Sequence, residues 1–168
     1  MEPLSVSDIR RSMINATRGE IERMPLPGLH EVIWSTREYL GWVDPRAPLL
    51  GYLVHWREDQ PVGVMLRAAE GRMSPGISAQ CSLCRTPQPA HQVRLFSAAR
   101  AGQSGRDGNS VATYICADLA CSHIIRILPP VSALQPDPAA VVPARAEALL
   151  ARVIGFTAGI SGSEKASD

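Results

Sequence analysis

The chain's only four cysteines fall in two pairs, Cys81-x2-Cys84 and Cys116-x4-Cys121, on either side of an arginine- and glycine-rich stretch. Thiolate is a soft ligand. One tetrahedral zinc ion takes four of them, and two turn-forming pairs separated by a longer excursion supply that set. Four sulfurs would complete the coordination sphere and leave no position for a water or a substrate, so the expected metal is structural. His91 and His123 are the other candidate ligands, His123 the better placed because it follows Cys121 by two residues. Three further readings of the cysteines stand beside this one. Disulfides need an oxidising compartment. A redox dithiol at Cys81 and Cys84 leaves Cys116 and Cys121 without a role. Ordinary buried cysteines explain neither spacing. The N-terminal Met-Glu-Pro-Leu-Ser-Val-Ser-Asp carries no charged segment followed by an apolar one, and no run of eighteen apolar residues occurs. A cytoplasmic, reducing location is therefore expected, where clustered cysteines are more often metal ligands.

The elements around the cysteines give them an order. Cys81-Ser-Leu-Cys84 reads as a knuckle, a tight turn whose amides can donate to sulfur. Gln92–Ser97 and Ser110–Ile115 read as the strands of a hairpin, with 118–127 as a helix whose Ile124, Ile125 and Leu128 pack on it. Knuckle, hairpin, then a last cysteine pair at a helix start is the order of a treble-clef finger. The hairpin connection, Ala99–Asn109, holds three glycines and two arginines, and is long for a hairpin loop.

Upstream, Ser5-Val-Ser-Asp8 and Thr17-Arg-Gly-Glu20 resemble capping boxes that open two short helices. Residues 29–42 bring enough apolar and aromatic surface to anchor a core, with Trp34 and Trp42 as packing residues. Tyr52–Trp56 and Val62–Arg67 read as strands of a second hairpin, with His55 as a half-exposed strand residue. The fold class expected is α+β, with short N-terminal helices and a β-hairpin packed against a treble-clef finger. Residues 1–155 are expected to form a single domain. Within it the finger occupies 78–128, a proline-rich linker 129–138 and a C-terminal helix 139–154, with Leu149, Leu150 and Val153 as its packing stripe. Residues 156–168 are expected to be a flexible tail.

Charge narrows the function classes. The formal net charge of the 168 residues is +1, so no global field marks a nucleic-acid binder. Segment 81–126 holds five arginines against Asp107 and Asp118, and a zinc ion on four thiolates would cut its excess from +3 to +1. No nucleophile–base constellation or phosphate loop is found, and the chain reads as a non-enzymatic binding module.

Several of these pieces together resemble a known family. Ser7-Asp-Ile-Arg10, the Leu40-Gly-Trp42 turn with Asp44-Pro45, Cys81-Ser-Leu-Cys84 and, above all, Arg106-Asp-Gly-Asn-Ser-Val-Ala-Thr-Tyr-Ile-Cys-Ala-Asp-Leu-Ala-Cys121 are similar to the elongation-factor-G-binding family. The best-known members of that family confer fusidic-acid resistance. The closer resemblance is to the FBP-type treble-clef zinc-finger proteins of actinobacteria, and it runs over roughly residues 4–155. It implies one structural zinc and a finger domain that binds elongation factor G, promoting its release from stalled ribosomes. The resistance proteins carry a helical bundle ahead of the finger, and this chain is expected to be too short for all of it.

On that reading Arg100, Arg106, Asn109 and Tyr114 are the candidate contact residues, since arginine and tyrosine combine apolar area with directed hydrogen bonds. The protein is expected to be a monomer with no membrane partner. Two other function classes remain at this stage: an RNA- or ribosome-binding finger, whose affinity would fall steeply with salt, and a CxxC thiol oxidoreductase.

Overall fold

The computed structural model describes residues 1–71, 73–74, 76–132 and 137–162. Residues 133–136 of the expected linker and 163–168 of the expected tail lie outside them. Both N-terminal capping boxes form. Ser5 caps helix α1 (Val6–Ser12) and Thr17 caps α2 (Arg18–Arg23), each side chain accepting from the N3 amide while the N3 carboxylate accepts from the cap.

Three antiparallel strands follow: β1 (Leu40–Val43), β2 (Leu50–Arg57) and β3 (Gln60–Ala68). The short hairpin β4 (Ser78–Gln80) and β5 (Pro87–Pro89) carries the knuckle at its tip. A longer hairpin pairs β6 (Val93–Ala99) with β7 (Ser110–Cys116) in full register from Val93–Cys116 to Ala99–Ser110. This finger hairpin joins the upstream strands through the pairs Arg67–Ser97 and Ala68–Phe96 and a bond from the Ala69 amide to the Leu95 carbonyl, giving one sheet in the order β1-β2-β3-β6-β7.

Alternation along the strands divides the core into two layers, one on each face of the sheet. Leu40, Trp42, Tyr52 and Val54 point to one face, where Leu4, Ile9, Met13 and Met24 cover them. Trp42 stacks on Tyr52 with centroids 5.1 Å apart, and its indole donates to the Pro25 carbonyl. Leu53, Val64, Leu66, Phe96 and Ile115 belong to the other layer, together with all four cysteines and Leu149, Val153 and Ile160 of a C-terminal helix.

Four expectations need correction. The C-terminal helix, α5, runs over Val141–Ser161, past the expected end at 154. The Thr-Ala-Gly-Ile stretch looks prone to fray, yet Thr157 and Ile160 are fully buried and tertiary packing carries the helix on. His55 is also fully buried, not half-exposed. Its Nε2 lies 2.8 Å from the Thr157 hydroxyl and its Nδ1 2.9 Å from the Trp56 carbonyl, so α5 covers it and burial pushes its pKa down.

The helix expected over 118–127 shrinks to α4 (Cys121–Ile124). Asp118 caps an Asx turn by accepting from the Ala120 amide, and Leu119 adopts φ 59°, which no helix allows. Ile125 is buried, but Leu128 is 51% exposed and does not pack on the hairpin. Finally, the 99–109 connection is no open loop. It contains the short helix α3 (Gly102–Arg106), bounded by Gly102 and Gly108 at positive φ.

Candidate metal centre

Three pieces of chain deliver the four thiols. The β4–β5 turn supplies Cys81 and Cys84, the last residue of β7 supplies Cys116, and the first residue of α4 supplies Cys121. The four sulfurs lie within 4.8 Å of one another, with Cys81 and Cys121 3.6 Å apart and Cys84 and Cys116 3.7 Å apart. A zinc tetrahedron with bonds of about 2.3 Å has edges of about 3.8 Å, so this donor set fits the ion. Neither histidine joins it. His91 is exposed, and the His123 ring faces the Arg37 guanidinium.

The electrostatics of the cluster call for a cation. Hydrogen bonds from Cys116 and then Cys121 hold the Cys81 thiol down to about 7. Bonds from Cys116, Cys121 and Cys81 also depress Cys84. Cys121 is pushed well up by its bonds with Cys116, Cys81 and Cys84 and by burial. Without metal, then, some of the sulfurs ionise only at the expense of the others. A divalent ion removes that conflict by binding all four as thiolates and offsetting two of their four charges. Cys81, Cys116 and Cys121 are at most 1% exposed and Cys84 is 8% exposed. The sulfurs form one buried cluster, with only Cys84 bordering a surface cleft, rather than a solvent-facing dithiol, which counts against redox exchange at Cys81 and Cys84.

Around the sulfurs the chain supplies donors. The Cys84 amide points at the Cys81 sulfur, 3.4 Å away, as the knuckle predicts. The side chain of Gln88 is one that sequence reasoning missed. Buried between Pro87 and Pro89, its Nε2 donates to Cys116 at 3.2 Å and approaches Cys84 at 3.8 Å. The signal was available: an alternating Pro-Gln-Pro directly after a knuckle turns one polar side chain inward. Gln88→Leu is expected to weaken zinc binding by roughly 10-fold or more, as loss of an outer-shell partner does. Competition with a chromophoric chelator reads this, and wild-type affinity in the leucine variant would remove Gln88 from the site.

The Cys116–Cys121 loop is held from below. The Tyr39 hydroxyl, on a ring 1% exposed, donates to the Leu119 carbonyl at 2.8 Å and accepts from the Cys121 amide at 3.3 Å. Burial pushes this phenol well above its ordinary pKa, so it stays a donor. Beyond α4, Arg126 grips Glu38 through two bonds of 2.7 and 2.9 Å, tying the end of the finger to the segment before β1.

The candidate contact residues do not all come together. Arg100, Arg106 and Asn109 line a cleft of about 600 Å³ with Asn15, Thr17, Glu20 and Arg67, between α3 and the N-terminal segment. Tyr114 is 44% exposed on β7 and lies outside that cleft; its carbonyl accepts from the Ser82 amide of the knuckle. Among the described residues no helix is long and apolar enough to cross a membrane.

No curated protein sequence matches this chain. Among solved structures, that of the fusidic acid resistance protein FusC aligns with 96% of this chain and 60% of its own length, at a TM-score of 0.60 and 14% identity. At that identity the likeness is one of fold, and this chain spans less than two thirds of FusC. The profile of the FBP C-terminal treble-clef zinc-finger family matches residues 8–160, a span that holds the four sulfurs and, Leu4 apart, the buried residues of both core layers. A family that folds around one structural zinc accounts for a buried four-cysteine cluster at the meeting point of knuckle, hairpin and helix, and this chain belongs to it.

Proposed function

We propose that this protein is a non-enzymatic cytoplasmic adaptor that binds elongation factor G through its finger domain and promotes release of the factor from the ribosome. The observation that carries the reading is the closed all-cysteine centre. Four sulfurs complete the zinc sphere, so the metal shapes a surface and has no open position for chemistry. Family membership and the fold shared with FusC support a role connected with fusidic acid resistance. The contact region proposed is the α3 connection, where Arg100, Arg106 and Asn109 share one cleft, with Tyr114 as a separate anchor nearer the knuckle.

Titration calorimetry of the zinc-loaded protein against its host's elongation factor G, at two salt concentrations, tests this. Saturable one-to-one binding that persists at the higher salt is expected. The double variant Arg100→Glu, Arg106→Glu should weaken binding by roughly 10-fold or more, about 1.4 kcal/mol, without loss of fold. Unchanged affinity in the folded variant would remove the α3 connection from the interface. Absence of binding with zinc intact would defeat the adaptor reading. Arg67, Arg100 and Arg106 lining one cleft keep an RNA partner as the second reading, and steep loss of RNA affinity with salt would be its mark.

A further inference from the structure

A second cleft, of about 950 Å³, lies on another part of the finger, between β5, the chain after α4 and the first half of α5. Ile124, Ile127, Leu128, Val141, Ala144 and Ala148 give it an apolar wall. Ile127 is 64% exposed and Leu128 51% exposed, so large aliphatic side chains that ordinarily seek cover stand open to water here. Its charged lining is of one sign. Arg85, Arg145 and Arg152 border it, and among the described residues no aspartate or glutamate does so.

The bordering strand limits what can bind. β5 is the outer strand of a two-stranded sheet, paired to β4 through Ala79–Gln88. The Cys81 amide bonds to Thr86 and the Ala90 amide to Ile77, so residues 86, 88 and 90 turn their backbone groups toward β4. Positions 87 and 89 turn theirs outward, and both are proline, with no N–H to donate. An extended peptide therefore finds no donors along this edge, and strand addition is blocked. Recognition has to come from side chains. On α5, Ala144 and Ala148 stand one turn apart and leave room for a second backbone to approach.

We infer that this cleft is a docking groove for an acidic amphipathic helix of a protein partner, its apolar stripe against Ile127, Leu128, Ala144 and Ala148 and its carboxylates toward Arg85 and Arg145. The groove is distinct from the α3 connection, and the inference holds whether or not elongation factor G is the partner.

The test uses the full zinc-loaded chain and two synthetic helical peptides. Both carry leucines at i, i+4 and i+7; one is flanked by glutamates and the other by lysines. With 15N-labelled protein, the acidic peptide is expected to shift the amides of Arg85, Ile127, Leu128, Ala144 and Ala148, and the basic one is not. Arg85→Glu and Ala144→Glu, both at exposed positions, should each raise the acidic peptide's Kd by roughly 10-fold. Zinc content and circular dichroism establish that the variants are folded. Equal binding of the two peptides, shifts mapping elsewhere, no shifts at all, or variants that bind as wild type would each overturn the groove.

Discussion

Cys84→Ser is expected to strip the protein of zinc and to unfold one of its two core layers while leaving the other. A structural zinc contributes about 10–16 kcal/mol in finger peptides, while a whole domain is stable by about 5–15 kcal/mol. The layer holding the metal cannot absorb such a loss. All four cysteines are part of the same buried cluster as Leu53, Leu66, Phe96, Ile115, Leu149 and Val153. Removing one ligand leaves three buried sulfurs with no cation to hold them as thiolates, and the knuckle and α4 lose the link that ties them together, although Leu83 and Ile125 beside them are buried. The opposite layer, by contrast, is built entirely from buried residues between Leu4 and Val54, with Met65 as the furthest side chain packed on it. None of it touches the metal. Hydrogen exchange should therefore show protection lost over 81–126 and along α5, with the strands around the Trp42–Tyr52 stack more resistant. A zinc-free variant whose finger amides exchange as slowly as wild type would show that the hairpin core stands without metal. Full retention of zinc would show that Cys84 is no ligand.

That division of the core also explains what the sequence disclosed. Metal ligands must be brought together by local turns, so cysteine spacing reveals a centre even when nothing else is known. Capping boxes are legible for the same reason: Ser5–Asp8 and Thr17–Glu20 satisfy each other within four residues. What stayed hidden depends on partners far away in the chain. His55 reads as a surface residue because the helix that buries it supplies Thr157 from 102 positions away. Leu40-Gly-Trp42 reads as a turn but is strand β1, because its pairing with β2 is all that makes it a strand. The joining of the finger hairpin to the upstream sheet rests on two residue pairs and the Ala69–Leu95 bond across the seam, too little to leave a pattern. The helix expected after Asp118 fails for a local reason that was harder to see. The loop between Cys116 and Cys121 has to turn back under the metal, and it does so by placing a leucine, not a glycine, at positive φ.

That leucine sets the second large effect. Leu119 costs backbone strain of order 1–3 kcal/mol in the left-handed region, and it is held there by what lies beneath it. Its side chain is 1% exposed, its carbonyl accepts from Tyr39, and it sits directly over Gly41 and Gly51. A Cβ at position 41 would stand 2.5 Å from the Leu119 carbonyl oxygen, 2.9 Å from its Cβ and 2.7 Å from the Tyr39 ring. The first of these is backbone and cannot swing aside. Gly41→Ala is therefore expected to destabilise the protein by about 3 kcal/mol, at the upper end for one added methyl in a packed interior. It should also lift the Cys116–Cys121 loop off its support and lower zinc affinity. Gly155→Ala is the matched control. Gly155 lies on the exposed face of α5 with nothing within 4 Å of the added carbon, so the same substitution should stabilise by about 0.5–1 kcal/mol through helix propensity alone. Urea unfolding of the two variants side by side separates the contributions. A Gly41→Ala protein that unfolds at the wild-type midpoint and holds zinc as tightly would mean that the loop floats free of β1, and that Tyr39 alone holds it beneath the metal.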